Sequence, residues 1–159
     1  LASNTQSVII AVAGSCFGNG RRGARAGYGA CFSNKHDMNG LIALSNPQTS
    51  QYAIIQAVTK AIEKVHELLQ NVARRQDFTH VVVETSSQYV VKALCRDVWR
   101  WTANGYVTVD GQSVINARAF KYLHEQALLL ENEYGMRVSF SYLRAECNEV
   151  ARGLAREAI

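Results

Sequence analysis

Val8 to Ala13 is an unbroken apolar run that ends in the glycine-rich stretch AGSCFGNG at 13–20, and that juxtaposition limits the fold more than any other feature. A run this short and this apolar reads as a strand buried inside a sheet, and the glycines and asparagine after it read as a turn-rich loop. A strand buried on both faces needs a covering layer on each.

The segments that follow supply those layers. After the basic loop RRGARAG at 21–27, Tyr28–Ser33 and Gly40–Leu44 are short, apolar and bounded by glycine, so the first three strands form a meander. From Ser50 the period changes. Ile54, Ile55, Val58, Ala61, Ile62, Val65, Leu68 and Leu69 recur at helical spacing and predict an amphipathic helix ending near Arg75. Thr79–Thr85 predicts a strand between Asp77 and the Ser86–Ser87 pair. Helical spacing resumes at Val90, Val91, Leu94, Val98 and Trp101 and stops at the Asn104–Gly105 turn. Trp101 falls on the apolar side of this helix, which leaves Trp99 as a contact residue. A helix over Ala117–Glu133, a strand over Arg137–Leu143 and a helix over Asn148–Ala158 complete the chain, with Asn148 as N-cap and Glu149 in the first turn. The order βββαβααβα predicts an α/β domain whose central mixed five-stranded sheet carries helices on both faces.

A length of 159 residues with 48% hydrophobic content and one proline suits a single domain over 1–159, with residues 1–6 as an N-terminal extension. The chain starts at Leu1 without methionine, which reads as a fragment or a processed chain whose targeting segment is not visible. A net charge of +4 gives a mild bias toward a polyanionic partner. The longest apolar runs are strand-sized, so no membrane partner is expected. Cys16, Cys31, Cys95 and Cys147 are scattered without metal spacing and read as small buried hydrophobes in a reducing intracellular compartment, nuclear or cytoplasmic.

The motifs GSCFGNG, GARAGYGA, TSQYAIIQAVTKAIE, ETSSQYVVKAL, NGYVTVDGQSVINARAF and NEVARGLAREA follow one another in the order of the ribonuclease H type 1 family, which the chain resembles from Val8 onward. Among its members the fungal-type cellular enzymes look most similar. The resemblance implies the RNase H-like fold and a site at which carboxylates hold two magnesium ions about 3.5–4 Å apart. In this sequence the positions matching those carboxylates are Ala13 in VAGSC, Ile54 in TSQYAIIQA, Ser86 in TSSQYV and Arg152 in NEVARGLA. Glu84 lies two residues before Ser86, but one carboxylate cannot organise two metals, and a partly exposed strand-end residue is the simpler reading. No metal and no cofactor are therefore expected, and the chain reads as a non-catalytic member, not an enzyme.

The family's nucleic-acid contacts map onto Cys16, Gly18, Asn19, Thr49, Ser50, Gln51 and Gln88, each of which also has a turn, cap or packing reading. Arg21, Arg22 and Arg25 sit on a glycine-rich loop suited to an anion, and Lys92, Arg96 and Arg100 recur at i, i+4 and i+8 as a basic stripe or a solvated face. Arg152 itself is expected to pair with a phosphate or with Glu84. Two functions follow: a module binding RNA, RNA·DNA hybrid or duplex nucleic acid, or a scaffold for a protein partner. No Ser/His/Asp, Cys/His or metal constellation supports another chemistry.

Overall fold

The computed structural model describes residues 7–71 and 78–159. The expected extension at 1–6, the helix end near Arg75 and the strand boundary at Asp77 lie outside them. The described elements are β1 (Ser7–Phe17), β2 (Arg25–Phe32), β3 (Met38–Leu41), α1 (Ser50–Leu69), β4 (His80–Thr85), α2 (Gln88–Lys92), a π-helical turn (Ala93–Asp97), α3 (Val98–Asn104), α4 (Ala117–Tyr134), β5 (Arg137–Tyr142) and α5 (Glu149–Glu157). They form one five-stranded sheet in the order β3-β2-β1-β4-β5. The β1–β2 and β2–β3 pairs are antiparallel, and β4 joins β1 and β5 in parallel. The mixed sheet and the element order agree with the sequence reading.

One face of the sheet is fully covered and the other only in part, so the apolar run is buried on one side and leaves Ile9 43% exposed on the other. Val8, Ile10 and Val12 alternate onto one face with Val81 and Val83 beside them. There α1 packs on β1 and β2, and α4 packs on α1. Because α1 lies between sheet and helix it is buried almost all round, and even Thr59 turns its hydroxyl inward, donating to the Ile55 carbonyl at 2.9 Å. Phe120 fills the centre at 0% exposure, a burial worth about 1.5–3 kcal/mol. On the opposite face α5 lies against β2, β1 and β3.

Four elements depart from the sequence reading. β1 continues past Ala13 to Phe17 because Gly14, Ser15, Cys16 and Phe17 each find a partner on β2, down to Arg25. Inter-strand hydrogen bonding outweighs the turn-like composition there. The loop contracts accordingly to 18–24, β2 begins at Arg25 instead of Tyr28, and β3 covers Met38–Leu41 instead of Gly40–Leu44. The second helical stretch is divided by the π-helical turn at Ala93–Asp97, so α2 and α3 are out of α-helical register with each other. The cysteines are not buried: Cys16 and Cys31 are half-buried, and Cys95 and Cys147 are exposed. Trp101 is in the core at 5% exposure while Trp99 stands out at 57%, as their spacing predicts.

Candidate nucleic-acid cleft

Strand β4 ends at Thr85 beside Val12 of β1, which runs on to Phe17, and at that point the first turns of α1 and α5 converge. Glycines set the distances. A Cβ at Gly14 would lie 2.6 Å from the Ser50 carbonyl oxygen and 2.7 Å from the Ile54 nitrogen, so the backbone of α1 rests directly on β1. On the other face a Cβ at Gly29, which pairs with Ala13, would meet the Ala151 carbonyl oxygen and lie 2.7 Å from the Ala155 nitrogen. The result is an open cleft of about 210 Å³ whose lining includes Ala13, Ile54, Ser86, Asn148 and Arg152. Four positions scattered over 140 residues of sequence are thus brought together.

Asn148 and Arg152 give the cleft its chemistry. Asn148, 2% exposed, stands at the N-cap of α5 as the sequence reading places it, but its side chain makes no capping bond. Its Nδ2 instead donates to the Val12 carbonyl at 3.0 Å and to the Ser86 hydroxyl at 3.4 Å, fastening α5 across the sheet, and its Oδ1 is buried without a partner among the described residues. Of the two expected partners of Arg152, a phosphate or Glu84, the structure does not show Glu84: Nη1 donates to Glu149 Oε1 at 2.7 Å, because residues three apart share a face of the helix. Two magnesium ions need several anionic oxygens. The lining offers serine and threonine hydroxyls, one neutral orphan oxygen and a guanidinium, so it does not fit such a pair. Among the described residues no group of three or more histidines, cysteines or acids could hold a metal ion. The set suits an anion with hydrogen-bond acceptors.

The remaining candidates fall into separate groups. Gly18 takes φ +66° and accepts from the Arg21 amide at 2.8 Å, so it shapes the hairpin turn on which Asn19, Arg21 and Arg22 are exposed. Arg25 is not on that loop: it opens β2, and its Nη1 is buried without a partner among the described residues. Cys16 is a strand residue whose thiol donates to the Gln48 carbonyl at 3.2 Å, and burial pushes its pKa up, away from the thiolate. Thr49 caps α1, accepting from the Tyr52 amide at 3.1 Å, with Ser50 and Gln51 half-buried in the first turn. Gln88 is exposed at the start of α2, where Ser87 is the cap. Lys92, Arg96 and Arg100 are exposed but form no α-helical stripe, since the π-helical turn intervenes, and Arg96 and Arg100 bracket the buried Asp97 at 3.4 and 3.7 Å.

Sequence reasoning missed two residues that shape the surroundings. Gln48 accepts from the Ala26 amide at 2.9 Å and donates to the Ala43 and Asn46 carbonyls at 2.8 and 3.1 Å, holding the 43–49 loop against β2. Its place between Pro47 and the cap Thr49 is the only signal it leaves. Glu149, read as a first-turn acid, is also the partner of Arg152 and, at 3.6 Å, of Arg156.

The RNase H family model matches residues 5–159. The chain belongs to the RNase H family. Ribonuclease H1 of Mus musculus is 33% identical over 156 residues, covering 96% of this chain and 50% of the relative. Ribonuclease H1 of Homo sapiens is 32% identical over 154 residues, 94% of this chain and 49% of the relative. This RNase H chain therefore spans about half the length of these mammalian relatives. Ribonuclease H of Saccharomyces cerevisiae is 39% identical over 98 residues, 59% of this chain and 27% of the relative, so the matches do not single out the fungal enzymes. Among solved structures, LC11-RNase H1 in complex with RNA/DNA hybrid superposes with a TM-score of 0.66 at 21% identity, covering 96% of each chain. The PFV RNase H domain gives 0.68 at 21%, covering 95% of this chain and 93% of that one. At such identities the two show the RNase H fold. The reading of the chain as not an enzyme is overturned here: relatives sharing a third of its residues across nearly all of it are ribonucleases by name.

Proposed function

We propose that the chain binds RNA·DNA hybrid, with the sugar–phosphate backbone crossing the cleft and a phosphate on Arg152. The observation that carries this reading is the cleft itself. Its one charged side chain is a guanidinium, 40% exposed, set among hydroxyls and a buried amide. Arginine is suited to bidentate phosphate contact, and serine hydroxyls serve phosphates and 2′-hydroxyls. Strand β1 leads from this cleft to the hairpin tip, where Arg21 and Arg22 are exposed and positioned to extend the contact along the backbone. The net charge of +4 acts in the same direction. The hybrid held by the structurally similar LC11-RNase H1 favours it over other nucleic acids as the ligand.

Binding to hybrid, duplex RNA and duplex DNA of one sequence, measured across a salt series, tests the proposal. Tighter binding of hybrid at every salt concentration is the expected result. Equal affinities with a shared salt slope would reduce the interaction to unspecific charge and refute a shaped groove.

A further inference from the structure

Away from the cleft, the groove between α3 and α4 holds a cavity of about 380 Å³, a size at which small-ligand pockets begin. One stripe of α4 lines it: Ala117, Lys121, His124 and Leu128 follow at helical spacing, and Arg118 and Glu125 stand at the rims. Tyr106 forms the facing wall. It is 9% exposed and held at φ +63°, a left-handed conformation that side chains with a Cβ rarely adopt. Its amide donates to the Trp101 carbonyl at 2.8 Å and its carbonyl accepts from the Val114 amide at 2.9 Å, so the wall is fixed on both sides. His124 is 8% exposed with Trp99 edge-on at 4.8 Å, and burial pushes its pKa down against the opposing pull of Glu131 and Glu125.

The rim differs from the floor. Arg118 and Lys121 are exposed, and neither has an ion-pair partner among the described residues. Among the described residues, Glu125 is the one carboxylate lining the groove. The first turn of α4 carries no acidic residue, and Asn116 provides no side-chain cap, so the helix end adds to the positive potential. A bare inorganic anion would leave the apolar floor wet, and a neutral apolar molecule would leave both cations unused. We propose that this pocket binds a small amphipathic anion, an aromatic or aliphatic body bearing one carboxylate or phosphate. It is a second site, independent of hybrid binding at the cleft.

Chemical-shift titration of the isotope-labelled chain tests this with 2-naphthoate, 2-naphthyl phosphate, 2-naphthylmethanol and inorganic phosphate. Shifts at Gly105, Lys121 and His124 with a Kd on the order of 1 mM are expected for the two naphthyl anions, and binding about tenfold weaker for the neutral compound and for inorganic phosphate. The ranking of the two anions identifies the acidic group. The Arg118→Gln/Lys121→Gln variant should lose about tenfold in affinity for both, with melting temperature and hybrid affinity unchanged. Leu128→Gln, which leaves the cations in place, should weaken the naphthyl anions and not inorganic phosphate. Equal binding of naphthylmethanol, undiminished affinity in both variants, or no shift with any probe would overturn the proposal. Displacement of the probes by hybrid would also overturn it, by making the groove part of the nucleic-acid surface.

Discussion

Replacing Glu149 with glutamine should tighten hybrid binding, because this carboxylate competes with a phosphate for Arg152. Its two oxygens lie 2.7 Å from Arg152 Nη1 and 3.6 Å from Arg156 Nη2. All three side chains are 40–59% exposed, so the electrostatics are those of a wet surface. A phosphate on Arg152 would sit roughly 6 Å from the carboxylate, where repulsion at the dielectric of water is about 0.7 kcal/mol. Removing it should raise affinity about threefold at low salt, and the gain should shrink as salt screens it. Arg152→Ala should do the opposite, weakening binding and flattening the log–log salt slope by up to about 0.9. The pair itself is worth about 0–1 kcal/mol to the fold, so neither change should shift the melting temperature by more than about 4 °C. Fluorescence anisotropy with a labelled hybrid at several salt concentrations separates the effects. Weaker binding in Glu149→Gln, or an unaltered salt slope in Arg152→Ala, would refute the assignment of Arg152 to phosphate. A lowered melting temperature with an unaltered slope would make Arg152 structural instead.

Further outcomes follow from other parts of the fold. Gly29→Ala places a methyl against the backbone of α5 and should cost about 1–3 kcal/mol, lowering the melting temperature by about 2–12 °C and weakening hybrid binding as Arg152 is displaced; an unchanged thermal melt would show that α5 is not seated on that glycine. Gln48→Ala should cost about 1–2 kcal/mol and speed hydrogen exchange at the Ala26 amide, and undiminished protection there would contradict the stapling role. The histidine prediction concerns pH. Burial pushes the pKa of both His80 and His124 below the ordinary 6.5, so the unfolded chain takes up their protons first. Their contribution to stability is complete above about pH 6.5 and is lost as the pH falls through the folded-state values. Urea melts at about pH 8 and pH 5.5 should show that loss, and His80→Asn should reduce it; a wild-type stability that rises on acidification would reverse the sign and exclude the mechanism.

Most elements were readable because their patterns are local. The spacing from Ile54 to Leu69 specifies α1, and Thr49 announces its cap. What escaped depends on partners distant in sequence. Residues 14–17 look like a turn until β2 pairs with them, and Asn148 is the N-cap its position suggests while Val12 and Ser86, 136 and 62 residues earlier, claim its side-chain amide. The π-helical turn left no trace, since Val90, Leu94 and Val98 fit an α-helix equally well. The four cleft positions were found through motif order, not through their own chemistry: alanine, isoleucine, serine and arginine share no property that would group them. The Glu149–Arg152 pair obeys the i, i+3 rule, but a glutamate in a first turn is equally explained by the helix end alone.

The glycines beneath α1 and α5 separate the shape of the cleft from its chemistry. Backbone resting on backbone fixes where the two helices stand, without reference to the side chains at Ala13, Ile54, Ser86 or Arg152. Those four positions can therefore vary in charge and polarity while the gap between the helices keeps its width, whereas a single methyl at Gly14 or Gly29 would move a whole wall. For protein engineering the division is direct: the lining is the part to randomise, and the glycine seats are the part to leave alone.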